Sequence, residues 1–132
     1  MTIIDVPAPR NYQVIVGSGL LSQAGSRVAP FCKGNTAAIV SDETVWGLYG
    51  STLEASLKTA GLHVIHYTFP AGEASKNGEI YLKILNFLAE NKLTRSDVLV
   101  ALGGGVTGDL TGFVAATYLR GIAYVQIPTS LL

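Results

Sequence analysis

The residues best suited to chemistry fall in a few short segments. Gly103-Gly104-Gly105-Val106-Thr107-Gly108 fits the spacing G-x-G-x-x-G and runs directly into Asp109. Glycines let a backbone take positive φ and approach a ligand closely. The free amides and dipole of a helix opening beside such a turn favour an anion such as a pyrophosphate. The competing reading is a bare strand-to-helix turn. Gly72-Glu73-Ala74-Ser75-Lys76 offers a carboxylate that accepts from a hydroxyl or amide, and a lysine within reach of a phosphate or ribose. It reads equally as a capping segment with a solvated lysine. Asp42 suits a ribose hydroxyl, or the N-cap of a helix beginning near Thr44. Asp109 either stabilises the first turn of a helix or lies beside a cofactor. Thr129 and Ser130 add two hydroxyls after Pro128. Arg120 either binds an anion or complements a helix C-terminus.

The elements that must hold these segments alternate. Tyr12 to Val16, Thr36 to Val40, His63 to Phe69, Val98 to Leu102 and Ile122 to Ile127 read as strands. Helices are expected over Leu20 to Ala29, Thr44 to Ala60, Ile80 to Asn91 and Asp109 to Leu119. Gly47 and Gly50 weaken the second of these, and Gly61 is placed to end it. Val98 to Leu102 is apolar at every position, as expected for a strand covered on both faces. Strand-helix alternation predicts an α/β fold: a Rossmann-like parallel sheet with helices on both faces. In such sheets ligands bind beyond the carboxyl ends of the strands. Asp42, the segment from Ala71 to Glu73, the glycine block and Thr129-Ser130 all fall there. The glycine block departs from the usual dinucleotide fingerprint. It follows the fourth of these strands, and no acidic residue follows at about 20 positions, so Asp42 is the better ribose candidate.

Composition narrows the function classes. The 132 residues are one domain in length, 48% apolar and only 14% charged. Nine basic residues balance nine acidic ones, which argues against a nucleic-acid footprint or a polybasic membrane patch. Disorder is excluded by the apolar content. The run from Val98 to Tyr118 is broken by Gly103, Gly104, Gly105, Gly108, Asp109 and Gly112, so it reads as strand, turn and helix and not as a membrane span. Met1 to Pro9 has no apolar h-region of a signal peptide. With Cys32 as the only cysteine, neither an internal disulfide nor a Cys-based zinc site is expected, and a reducing, soluble compartment is the simplest assignment. His63 and His66 stand three apart on a strand and point to opposite faces, so a shared metal is not expected. Tyr81, Phe87 and Tyr118 read as core, since no basic cluster accompanies them. The low charge and the apolar ending at Leu131-Leu132 suggest a truncated chain whose downstream domain is missing.

The block from Leu102 to Ala116, with Leu119-Arg120-Gly121 and Val125-Gln126-Ile127-Pro128-Thr129-Ser130-Leu131-Leu132, closely resembles the 3-dehydroquinate synthase family. Gly72-Glu73-x-x-Lys76 and Tyr12-x-Val14-x-Val16-Gly17 fit the same family. The resemblance implies that residues 1–132 form the N-terminal NAD-binding domain of a two-domain lyase. It implies conversion of the sugar phosphate 3-deoxy-D-arabino-heptulosonate 7-phosphate to 3-dehydroquinate and phosphate, in the shikimate pathway to aromatic amino acids. It also implies NAD and a zinc or cobalt ion as cofactors, a homodimer, and a cytoplasmic location. Cofactor contacts would come from Asp42, Gly72, Glu73, Lys76, Gly104, Gly105, Val106, Gly108, Asp109, Thr129 and Ser130, and Arg120 would help to hold substrate. The family's metal ligands and most substrate-binding residues belong to a C-terminal helical domain, so neither catalytic nor metal residues are expected here. Ala71 stands where many relatives are acidic, and Ser130 where many carry threonine. The alternatives are a related sugar-phosphate cyclase, a polyol dehydrogenase domain, or a non-catalytic nucleotide-binding module.

Overall fold

The computed structural model describes residues 1–8 and 11–129. Its centre is a parallel sheet of four strands in the order β4-β3-β5-β6. These are β3 (Thr36–Asp42), β4 (His63–Phe69), β5 (Val98–Gly103) and β6 (Ala123–Pro128). Every residue of β5 is buried, as its unbroken apolar run requires. Alternation along β3 splits the core in two. Ala38 and Val40 pack with Ile84, Leu88, Leu110 and Val114 on one face. Ala37 and Ile39 pack with Val28, Leu53 and Leu57 on the other. The helices that supply these residues are α4 (Gly78–Glu90) and α5 (Gly105–Thr117) on the first face, α1 (Ala24–Val28) and α3 (Ser51–Thr59) on the second.

The strand order creates a crevice. From β3 the chain crosses to β4 on one side, then returns over the sheet to β5 on the other. The connections therefore diverge between β3 and β5, and their carboxyl ends open a topological switch point.

Several sequence expectations need correction. Tyr12–Val16 is a strand, β2, but it lies outside the parallel sheet. It pairs antiparallel with Thr2–Val6, β1, which the sequence reading did not identify. The link between them is too short for the crossover that parallel pairing demands, so only a hairpin can form. The helix expected over Leu20 to Ala29 is α-helical only over Ala24–Val28, with 3-10 turns at Leu21–Gln23 and Ala29–Phe31. The helix near Thr44 starts at Glu43 as α2 (Glu43–Val45) and passes through a π turn, Trp46–Gly50, before α3. Gly50 makes that turn possible, because a Cβ there would collide with the Trp46 ring. Gly61 takes φ +91° just past α3, the left-handed position at which glycine ends helices. The last helix begins at Gly105, four residues earlier than expected.

The contact of α1 with α3 depends on a second glycine. The Gly25 N–H donates to Ser56 Oγ at 2.8 Å, and Ser56 Oγ donates to the Ser22 carbonyl at 2.9 Å. A Cβ on Gly25 would run into the Ser56 carbonyl. Gly25→Ala is expected to lower stability by about 2 kcal/mol, the scale of an overpacked core contact. Urea unfolding with an unchanged midpoint would contradict this.

Candidate functional site

The glycine turn occupies the mouth of the crevice. Gly103 takes φ +155°, and a Cβ there would stand 2.6 Å from Thr107 Oγ1. Gly104 is the extended residue before α5, and no side chain caps that helix. The first helical bond runs from the Gly108 N–H to the Gly104 carbonyl, 3.0 Å. The amides of Gly105, Val106 and Thr107 therefore have no acceptor within the helix. No acidic residue stands in the first turn to compete for them. This donor set fits a phosphate-type anion.

Asp109, read from sequence as a first-turn residue, is instead the fifth residue of α5, because the helix starts at Gly105. Its carboxylate reaches sideways to Lys76, with Nζ and Oδ2 2.7 Å apart. Both side chains are largely solvent-exposed, so the pair adds little stability. Its effect is positional: it ties the segment before α4 to the helix that carries the glycine turn. Hydrogen bonding to Asp109, and then its charge, raise the Lys76 ammonium above the ordinary lysine value. Lys76 therefore stays cationic across neutral pH.

The segment from 70 to 77 is held by its own bonds. Gly72 takes φ +114°, a backbone form suited to glycine. Ser75 is buried and its hydroxyl donates to the Pro70 carbonyl at 2.6 Å. The cap of α4 is Asn77, whose Oδ1 accepts from the Ile80 N–H at 2.9 Å. The sequence reading missed Asn77. Its signal was an Asn three residues before the first apolar helical position. Because Asn77 does the capping, Glu73 and Lys76 are exposed on the same short stretch without a capping task.

Asp42 closes β3 and does cap a helix: its Oδ1 accepts from the Val45 N–H at 2.8 Å. It is only partly buried, and its capping bond leaves carboxylate lone pairs unused. Thr129 follows β6, and its N–H donates to the Gly103 carbonyl at 3.1 Å. Ser130 lies outside the described residues. Val106 packs against the core face that α4 and α5 share. Gly108 serves helix-sheet packing: a Cβ would stand 2.5 Å from Gln126 Nε2, and the Tyr124 hydroxyl donates to its carbonyl at 3.0 Å.

The structure thus brings Asp42, Gly104, Gly105 and Thr129 to one end of the sheet, with Lys76 paired to Asp109 beside them. It does not bring Arg120 there. Arg120 ends the turn Tyr118–Arg120 after α5, a helix of 13 residues, which puts it about 20 Å from the glycine turn. Tyr81 and Phe113, whose ring centres lie 4.7 Å apart, line an open groove of about 280 Å³ next to Lys76 and Asp109. Tyr118 is buried in the core, as expected, while Tyr81 is half-buried against it and Phe87 is half-buried edge-on to Tyr67. His66 stacks on Trp46 with ring centres 4.0 Å apart. Among the described residues no group of three or more His, Cys, Asp or Glu side chains could hold a metal ion. None of the described helices is long and apolar enough to cross a membrane.

Residues 66–132 match the 3-dehydroquinate synthase N-terminal family. The 3-dehydroquinate synthase of Streptococcus suis (strain 05ZYH33) is 48% identical over 120 residues, which are 91% of this chain and 34% of that protein. That of Lactococcus lactis subsp. cremoris (strain MG1363) is 51% identical over 120 residues, with the same coverage of 91% and 34%. The chain therefore spans about a third of the length of the curated relatives it matches. Among solved structures, 2-epi-5-epi-valiolone synthase from Streptomyces hygroscopicus subsp. jinggangensis 5008, with NAD+ and Zn2+ bound, superposes with a TM-score of 0.77 at 30% identity. The match covers 96% of this chain and 35% of that one. A 2-deoxy-scyllo-inosose synthase complexed with carbaglucose-6-phosphate, NAD+ and Co2+ shares the fold, with a TM-score of 0.88 at 24% identity over 98% of this chain and 35% of that one.

Proposed function

This chain belongs to the 3-dehydroquinate synthase family, and from that premise we propose that residues 1–132 are the NAD-binding domain of such an enzyme. The observation that carries this reading is the uncapped start of α5 at the switch point, where the amides of Gly105, Val106 and Thr107 lack acceptors. A pyrophosphate is the ligand that such a donor set suits. In this reading Asp42 accepts from a ribose hydroxyl with the oxygen lone pairs its capping bond leaves over. Glu73 accepts from the adenosine side, and Lys76 offers a fixed positive charge. Gly72 gives that segment its turn. Asp109 serves twice: it orients Lys76 and accepts from the second ribose. Thr129 continues the wall of the crevice, Ser130 is assigned to the cofactor with it, and Val106 and Gly108 support the turn from behind. Arg120 stands apart from these contacts and is assigned to an anionic substrate.

When bound, the dinucleotide supplies a reversible hydride acceptor, and the protein's part is to hold and orient it. The whole protein is assigned the conversion of 3-deoxy-D-arabino-heptulosonate 7-phosphate to 3-dehydroquinate and phosphate. The side chains described here do not fit a zinc or cobalt site. Both the metal and most substrate contacts are therefore assigned to a further domain, in keeping with the greater length of the relatives. A cytoplasmic homodimer completes the reading.

Calorimetric titration of the whole protein with NAD tests it. The double substitution Glu73→Ala with Lys76→Ala is expected to weaken binding about tenfold, the scale of losing a few polar contacts. Undiminished affinity in the double variant would sink the proposed site. Release of NADH without phosphate would favour a polyol dehydrogenase instead.

A further inference from the structure

The crevice is held to its width by a residue that touches no ligand. Strands β3 and β5 pair from Ala37 opposite Val98 to Ser41 opposite Leu102. Beyond that rung they part. Asp42 pairs with Phe69 of β4, while Gly103 pairs with Pro128 of β6. The last shared rung carries one additional bond: the Ser41 hydroxyl donates to the Leu102 carbonyl at 2.7 Å. Ser41 is fully buried, the one polar side chain among the first six residues of β3 after Thr36. A buried hydroxyl must find a partner. This one finds the carbonyl directly before the glycine turn.

We propose that Ser41 is a positioning residue for dinucleotide binding, setting the spacing between Asp42 and the glycine turn through the Leu102 carbonyl. Two adjacent carbonyls of the turn are held from opposite sides. Leu102 is held by Ser41 from β3, and Gly103 by the Thr129 N–H from the end of β6. Together these bonds fix the Leu102–Gly103 and Gly103–Gly104 peptide planes, and so the aim of the Gly103 and Gly104 amides that lead into α5. Ser41 is also the residue directly before Asp42. Its hydroxyl therefore reinforces the last backbone rung between the ribose side of the crevice and the pyrophosphate side, beyond which no ladder joins β3 to β5. Loss of the bond frees the Leu102–Gly103 peptide to rotate and lets the strand ends drift apart. A ligand that must touch both sides feels this, and a ligand that touches one side does not.

The inference rests on the NAD-binding reading above, and the experiment separates the two. Binding of NAD and of adenosine, which lacks the phosphates, to the whole protein is measured by calorimetry for wild type, Ser41→Ala, Ser41→Thr and Tyr118→Phe. Tyr118→Phe is the control: its buried hydroxyl donates to the Leu93 carbonyl at 2.8 Å, at the end of α5 away from the glycine turn. Ser41→Ala is expected to weaken NAD about fivefold while adenosine changes less than about twofold. Ser41→Thr, which keeps the hydroxyl, restores NAD binding even where its melting temperature falls. Tyr118→Phe lowers the melting temperature and leaves both affinities unchanged. If Ser41→Ala does not fold, Ser41→Cys replaces it, since a thiol is a weak donor of similar size. The proposal is overturned if the Ala or Cys variant binds NAD like wild type. It is also overturned if NAD and adenosine weaken equally, or if Tyr118→Phe weakens NAD as much. Wild-type protein that fails to bind NAD overturns the cofactor reading itself, and this inference with it.

Discussion

Gly103→Ala in the whole protein is expected to weaken NAD binding by about thirtyfold, which corresponds to ~2 kcal/mol. Two independent constraints converge on this position. Its φ of +155° is one that side-chain-bearing residues rarely adopt, and the added Cβ would stand 2.6 Å from Thr107 Oγ1 and 2.9 Å from Thr107 Cβ. Thr107 cannot retreat. It is buried, and a β-branched side chain in a helix has few rotamers to choose from. Relief must therefore come from the backbone of the turn, which moves the amides of Gly104 to Thr107 away from the ligand position. Electrostatic donors held in place lose their value quickly when they shift. Gly47→Ala provides the contrast. A Cβ at Gly47 meets nothing within 4 Å, and its φ is not in the left-handed range. It lies in a helical segment, where alanine is favoured over glycine by about 1 kcal/mol. It should leave NAD affinity unchanged and stability equal or higher. Calorimetry and urea unfolding of both variants decide the matter. NAD binding by Gly103→Ala within twofold of wild type would show that the turn does not hold the cofactor.

What the sequence made legible was local or periodic, and what it hid was long-range. Val98 to Leu102 announced a doubly covered strand, and the glycines after it announced a turn at a strand's carboxyl end. Both are readable because the pattern and its physical cause lie within a few residues. The start of α5 was misplaced because glycine is a poor helix former, so Gly105 and Gly108 disguised the first four residues of the helix as loop. The hairpin of β1 and β2 was hidden because Thr2–Val6 carries exposed apolar residues, among them Ile3 and Ile4, that follow no core periodicity. The pairing of Lys76 with Asp109, and of Ser41 with Leu102, joins residues far apart in the chain. No spacing rule reaches them. Which residues cap was fixed by neighbours: Asp42 caps α2, while Asn77, and neither Glu73 nor Lys76, caps α4. His63 and His66 both lie on β4, where His66 stacks on Trp46 and approaches Glu54 at 3.9 Å.

Asp97→Ala is expected to destabilise the protein by about 3 kcal/mol, because it orphans several buried donors at once. Asp97 stands directly before β5 and is almost fully buried. Its Oδ1 accepts from the Asn35 and Thr36 N–H groups at 3.2 and 3.0 Å, and its Oδ2 accepts from the Thr94 N–H at 2.8 Å and the Thr94 hydroxyl at 3.2 Å. One carboxylate thus ties the amino end of β3 to the turn that leads into β5. Gly34 lets it approach, since a Cβ there would collide with Asp97 Oδ1. Burial pushes the carboxyl upward in pKa, but the Thr94, Thr36 and Asn35 amides and the Thr94 hydroxyl together outweigh it and hold it below its ordinary value. The sign of the pH dependence follows. The unfolded chain binds a proton at a higher pH than the folded one, so this contribution is complete at neutral pH. It is lost as pH falls below about 4, through the depressed folded value. Wild type should therefore lose stability more steeply than Asp97→Ala over that acid range, and the two unfolding curves should converge. Parallel curves would refute the assignment. Asp97 lies at the amino end of the sheet, so the fraction of Asp97→Ala that stays folded should bind NAD with wild-type affinity. The variant separates the strength of the scaffold from the aim of the crevice, and Gly103→Ala acts mainly on the second.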